Sequence, residues 1–153
     1  MPLVQTQQFG ELQYADDATV HFPHGLPGFE LCHRFVFIQR PDLAPVVHLQ
    51  SLETPEVCFP AMPIHAIDPN YVPVIAPEDE VTLGLRPSSP LNPAPVNPAT
   101  LALALLAATA EGELTANLFA PIIINMETGT AVQAVRMDSL YSPHYSLEGA
   151  ACS

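Results

Sequence analysis

Histidine, cysteine and carboxylate are the residue types that most often carry chemistry, and this chain holds a few of each in suggestive places. His21 and His24 are three positions apart, with His33 further on. Neutral imidazoles are common zinc ligands, so a metal site has to be weighed. Pro23 and Gly25 deny this stretch a helix, and on a strand a separation of three puts side chains on opposite faces. Turn histidines facing solvent are the expected reading, with no metal. His48 alternates with Val47 and Leu49 and is expected to be at the surface or satisfied by a partner.

Glu78, Asp79 and Glu80 form the densest run of carboxylates. It lacks the spaced oxygens of a calcium loop, which leaves a solvated turn or a docking edge for a basic partner. No GxSxG elbow accompanies the serines, so no nucleophile triad is indicated. The chain contains no lysine, which removes any Schiff-base or phosphate-gripping lysine. Its cysteines, Cys32, Cys58 and Cys152, have no CxxC spacing and no adjacent base, and they read as reduced thiols. Neither catalysis nor a cofactor is expected. Two other readings stay open: a barrel enclosing a small ligand, and a hydrolase built on two close carboxylates.

Charge narrows the partners. The formal net charge is -12, with Arg34, Arg40, Arg86 and Arg136 as the only fixed cations. Phosphate neutralisation needs clustered Lys and Arg, so direct nucleic-acid binding and an anionic membrane surface are both disfavoured. A basic protein partner would be steered toward such a field. The first residues show no signal-peptide pattern, and the longest apolar stretch, Leu101 to Ala110, is too short to span a bilayer. A cytoplasmic location is expected.

The elements that must position these groups are strands. The sequence has 18 prolines and 7 glycines, and most apolar runs between them are short. Segments 34–39, 46–51 and 57–59 are rich in aromatic and β-branched residues, and 34–39 suits a strand buried on both faces. Residues 81–86 alternate with period two and predict another strand. Ile122 to Ile124 and Thr130 to Met137 flank a five-residue loop ending in Gly129, which predicts a hairpin. Residues 100–110 have helix-forming composition, yet Leu101, Leu103 and Leu105 alternate with Ala102 and Ala104, and a strand is predicted there. The fold expected is all-β: a single antiparallel barrel or roll with short or no helices. Its core spans about 18–145, with a proline-rich loop at 86–98 and a flexible tail at 146–153.

Three segments resemble the FliW flagellar assembly factor family. They are Phe22 to Glu30 (FPHGLPGFE), Leu49 to Ser51 with Pro69 to Tyr71, and Thr115 to Asn125 (TANLFAPIIIN) trailed by Gln133 and Tyr141. Gly25 and Gly28 suit positive φ in a compact turn, with Phe22, Leu26 and Phe29 folding back as an apolar plug. Asn70 suits a turn before Tyr71, and Asn117 suits a bond to neighbouring backbone. His24 and Asn70 stand where the family commonly has an acidic or polar residue and an Asp. The resemblance implies a non-enzymatic regulator that binds and antagonises the translational regulator CsrA. It also implies binding to flagellin, each partner excluding the other, so that flagellin translation is controlled. The contacts expected are Asp68, Asn70, Tyr71, Glu78, Asp79, Glu80 and Asn117.

Overall fold

The computed structural model describes residues 3–6, 10–14, 19–26, 28–84, 100–135 and 141–147. The expected proline-rich loop 86–98, Cys152 and the end of the tail lie outside the described residues. Strands β1 (Leu3–Thr6) and β2 (Gly10–Gln13) form an antiparallel hairpin ahead of the expected core. The larger sheet contains β3 (Thr19–His21), β4 (Arg34–Gln39), β5 (Val47–Ser51), β6 (Cys58–Pro63) and β7 (Thr100–Ala108). It also contains β8 (Leu114–Ala116), β9 (Ile122–Asn125), β10 (Thr130–Gln133) and β11 (Tyr145–Ser146). One short helix, α1 (Pro77–Leu83), precedes β7.

The strand order is β11-β8-β7-β6-β5-β4-β3-β10-β9, and β9 returns to pair with β7 from Thr100↔Asn125 to Leu103↔Ile122. That contact closes seven strands into a barrel, which removes the edges an open sheet would expose. β8 pairs with the far half of β7, and β11 with β8. The all-β barrel expectation therefore holds, with one correction to its strand directions. β10 and β3 run parallel, meeting at Thr130↔His21.

Alternation along the strands sorts side chains into two apolar clusters. Leu103, Ile122, Ile124 and Ala131 point inward with Phe22, Phe35 and Leu49. Ala102, Ala104, Ile123 and Val132 point outward, against Ile64, Tyr71, Leu83 and Leu118. This explains the Leu/Ala alternation of 101–105. Leucines fill the barrel, and alanines on the other face leave room for the layer formed by residues 64–83. A helix there would have put both types on the same faces, so burial on two sides overrode helix propensity. Fully burying each such Leu or Ile contributes about 2 kcal/mol.

β4 has Phe35 and Val36 at 0% and 1% exposure on opposite faces, as a strand buried on both sides requires. Every residue of β5 is buried, including His48, so the surface alternative for that histidine is corrected. Burial first, and the Arg40 charge second, hold the His48 imidazole below its usual pKa.

The strand expected at 81–86 is a second correction. Val81, Thr82 and Leu83 belong to α1, and Gly84 ends it in the left-handed conformation at φ 73°. Pro77 opens the helix with Glu78, Asp79 and Glu80 in its first turn, the favoured arrangement of proline and carboxylates at a helix start. The spacing of Glu80 and Leu83, both buried, is helical, while Val81 is exposed. The expected β9–β10 hairpin forms, with Asn125 inside the strand, so its loop is Met126 to Gly129, and with β10 ending at Gln133 where the strand was expected to run to 137. Ser146, the first residue of the expected tail, pairs with Thr115 in β11.

Candidate functional site

The FPHGLPGFE segment is a compact loop between β3 and β4. Gly25 and Gly28 take φ values of 66° and 83°, and Leu26 and Phe29 bridge each other. A Cβ on Gly25 would lie 2.7 Å from the Glu30 carbonyl oxygen, so the loop closes only over glycine. Phe22 and Leu26 enter the core, with the Phe22 ring edge-on to Phe35 at 5.4 Å. Phe29 does not complete the expected plug; it is 40% exposed and stands edge-on to Phe59. The histidines diverge: His33 Nδ1 bonds the Phe22 carbonyl at 2.9 Å, whereas His24 Nε2 meets the Thr82 hydroxyl at 3.2 Å. No group of three potential ligands is assembled among the described residues.

Two side-chain groups hold the residues expected to contact partners. The first is a turn. Asp68 Oδ1 accepts the Asn70 N–H at 3.0 Å, and its Oδ2 accepts the Tyr141 hydroxyl at 2.9 Å. The Tyr71 hydroxyl donates to the Leu118 carbonyl at 2.7 Å, and its ring lies 4.6 Å from that of Tyr141. Asn117 Oδ1 accepts the N–H groups of Phe119 and Ala120, the backbone role its type predicts. Three segments distant in sequence thus meet at one place. Asn70 is exposed, Asp68 and Asn117 are half-buried, and Tyr71, at 2% exposure, is interior.

The second group is α1. Glu78 is exposed, Asp79 half-buried and Glu80 buried, so the run is neither a solvated turn nor uniformly available. Asn125 fixes the other end of the helix. Its Nδ2 donates to the Leu83 carbonyl at 2.8 Å while its Oδ1 accepts the Glu127 N–H. Between α1, the glycine loop and β10 lies a cleft of about 340 Å³. Asp79, His24, Glu30 and Gln133 supply its polar groups, and Leu26 and Val132 are among its apolar ones. Burial, then the neighbouring Glu78 charge, push the Asp79 carboxyl above its usual pKa, and the His24 charge opposes them.

The turn and α1 share a foundation, since Ile67, Tyr71, Leu83 and Leu118 belong to the same outer cluster. Sequence reading missed His24, Glu30, Thr82 and Gln133 as neighbours of Asp79. The His24–Thr82 contact spans 58 positions, and no local pattern announces it.

The family model described as FliW protein matches residues 3–147. The chain belongs to the FliW family. A flagellar assembly factor FliW from Azoarcus sp. (strain BH72) is 32% identical over 141 residues, covering 86% of this chain and 89% of that protein. One from Heliobacterium modesticaldum is 29% identical over 150 residues, covering 98% and 93%. A crystal structure of the flagellar assembly factor FliW superposes with a TM-score of 0.79 at 25% identity, covering 95% of this chain and 96% of that one. The three segments that carried the resemblance are the ones that build the glycine loop, the Tyr71–Leu118 junction and the Asn125 brace. In this FliW-family chain, no helix among the described residues is long and apolar enough to cross a membrane.

Proposed function

We propose that this FliW-family protein is a non-enzymatic regulator that binds the translational regulator CsrA and flagellin alternately, each partner displacing the other. The observation that supports it is acidity on a filled barrel: Glu78 is exposed, Asp68 and Asp79 are half-buried, and the chain carries a formal charge of -12 without a single lysine. A basic RNA-binding homodimer such as CsrA is the kind of partner this field attracts. Holding CsrA lowers its action on flagellin messages; free flagellin, by occupying the same protein, releases it. The cytoplasm, where translation occurs, is the compartment this role requires.

The small-ligand reading loses support because Phe22, Phe35, Leu49, Leu103 and Ile122, each at 0% exposure, occupy the barrel interior. Among the expected contacts, Asp68, Asn70, Glu78, Asp79 and Asn117 retain exposed or half-exposed side chains. Tyr71 and Glu80 act through the scaffold that presents them.

The test is charge removal at the two helix carboxylates that are exposed or half-exposed. Glu78→Gln with Asp79→Asn should weaken CsrA binding at least tenfold by calorimetry and flatten its salt dependence, with the fold retained by circular dichroism. Glu80 is left intact because it is buried within the helix. Unchanged affinity in the double variant would remove α1 from the interface.

A further inference from the structure

Strands β8 and β11 lie outside the ring that closes the barrel. β8 runs beside the far half of β7, and β11 is the last strand in the order, pairing with β8 through Tyr145↔Ala116 and Ser146↔Thr115. Residues 141–147 cross the outer cluster, with Tyr141, Tyr145 and Leu147 packed against it and half-buried themselves. Ala116 and Leu118, which they reach, are at 0% exposure. Polar contacts tie the segment down besides its strand pairing. The Leu118 N–H donates to the Ser142 carbonyl at 3.1 Å, and the Ser146 hydroxyl bonds Glu113. The Tyr141 hydroxyl donates to Asp68 Oδ2 at 2.9 Å, and its ring lies 4.6 Å from that of Tyr71.

We propose that residues 141–147 form a releasable strap, which opens and recloses while the barrel stays folded, and that the Tyr141–Asp68 bond is its latch. This adds a regulatory element to the partner-switch reading. It rests on that reading only for the identity of what engages the Asp68 turn.

Releasing the strap breaks no pairing of the closed ring, whose strands each have a neighbour on both sides. Local opening is cheapest where few residues are fully buried and backbone bonds lie near solvent. No residue of 141–147 is fully buried; Ser142, Pro143 and His144 are exposed, and only two residues join the ladder. Ordering the segment costs conformational entropy that these contacts must offset. Its ties at Asp68 and Glu113 are hydroxyl-to-carboxylate bonds, the stronger class. Glu113 adjoins β8 itself, whereas Asp68 belongs to the turn where Asn70 is exposed. The latch thus couples the strap to surface that partners reach. A partner that engages the Asp68 carboxylate changes how often the face at Leu118 is uncovered. Two partners can exclude each other this way without sharing a surface.

The test is native-state amide exchange of the ¹⁵N-labelled full chain by NMR, in water and in low urea. The Leu118 amide should exchange about a hundredfold faster than the amides of β4 and β5, at a rate insensitive to low urea. Tyr141→Phe keeps the ring and should speed Leu118 exchange about fivefold further, with β4 and β5 unchanged. Asp68→Asn should do the same, and the double variant should add nothing to either, as one shared bond requires. Leu118 exchange that matches β4 and β5 in rate and urea dependence would overturn the strap. Acceleration spread equally over the barrel, or additive effects of the two substitutions, would overturn the latch. The chain is measured without a partner, so failure of CsrA to bind leaves the strap standing. A strap that does not open leaves alternate binding to a shared surface.

Discussion

The Tyr71 hydroxyl donates to the Leu118 carbonyl at 2.7 Å across 47 positions of sequence, joining the turn at Asp68 to the strand region that follows β8. Tyr141 packs on the same ring and bonds Asp68, so one phenol organises three segments. Tyr71→Phe keeps the ring and strands the buried carbonyl. The variant should lose about 1–2 kcal/mol in urea unfolding. Partner affinity should be unchanged, because the side chain is interior. A loss of affinity larger than the loss of stability would place Tyr71 in a docking face instead.

Gly25 is the tightest point of the glycine loop. Alanine there would combine a positive φ of 66° with a Cβ 2.7 Å from backbone that has no flexible end to move. Gly25→Ala should cost about 2 kcal/mol or more, read as a lowered melting temperature. Gly28→Ala, where nothing lies within 4 Å of the added carbon, should cost less than half as much. Equal losses at the two positions would contradict this account of the loop.

Asp79 supplies a pH dependence of known sign. Its folded pKa lies above the unfolded value, so the folded state binds the proton more tightly. The resulting stability is present below the unfolded carboxylate pKa and is lost as pH rises through the folded one. Asp79→Asn should therefore be neutral or stabilising at pH 7, with the advantage shrinking as the pH falls through the raised folded value and gone below the unfolded one near about 4. Thermal melts of both proteins across that range check it, and destabilisation at pH 7 would mean Asp79 holds a contact it is not credited with.

Cys58 lies half-buried on β6, and burial pushes its thiol up to about 11. In a Cys152→Ser background, alkylation of Cys58 at pH 8 should run about a hundredfold slower than that of a free thiol, since so little thiolate is present. Cys32, buried at 7% exposure, should be protected by access instead. Rapid labelling of Cys58 would show that β6 opens on the reaction timescale.

Much of the barrel was legible in the residues. The aromatic and β-branched runs at 34–39 and 46–51 and the hairpin that opens with Ile122 to Ile124 behave locally as they do in the fold. At 101–105, period-two alternation was a better guide than the helix propensity of Ala and Leu, because two faces had to be buried by different sizes of side chain. The same rule misled at 81–86, where Val81 and Leu83 alternate by chance. Pro77 and Gly84, the punctuation of a helix start and stop, were the more informative signal there. The role of Asn117 follows from its type. The cleft does not, since His24 meets Thr82, and Asp79 lies beside β10, only once the barrel has closed.

The central claim is that CsrA and flagellin exclude each other on this protein. Its most direct test is fluorescence anisotropy of labelled CsrA bound to the purified chain, with unlabelled flagellin from the same organism added stepwise. The account predicts full, saturable return to the anisotropy of free CsrA, and no species containing all three proteins by size exclusion. A stable ternary complex, or no binding of CsrA before flagellin is added, would contradict it.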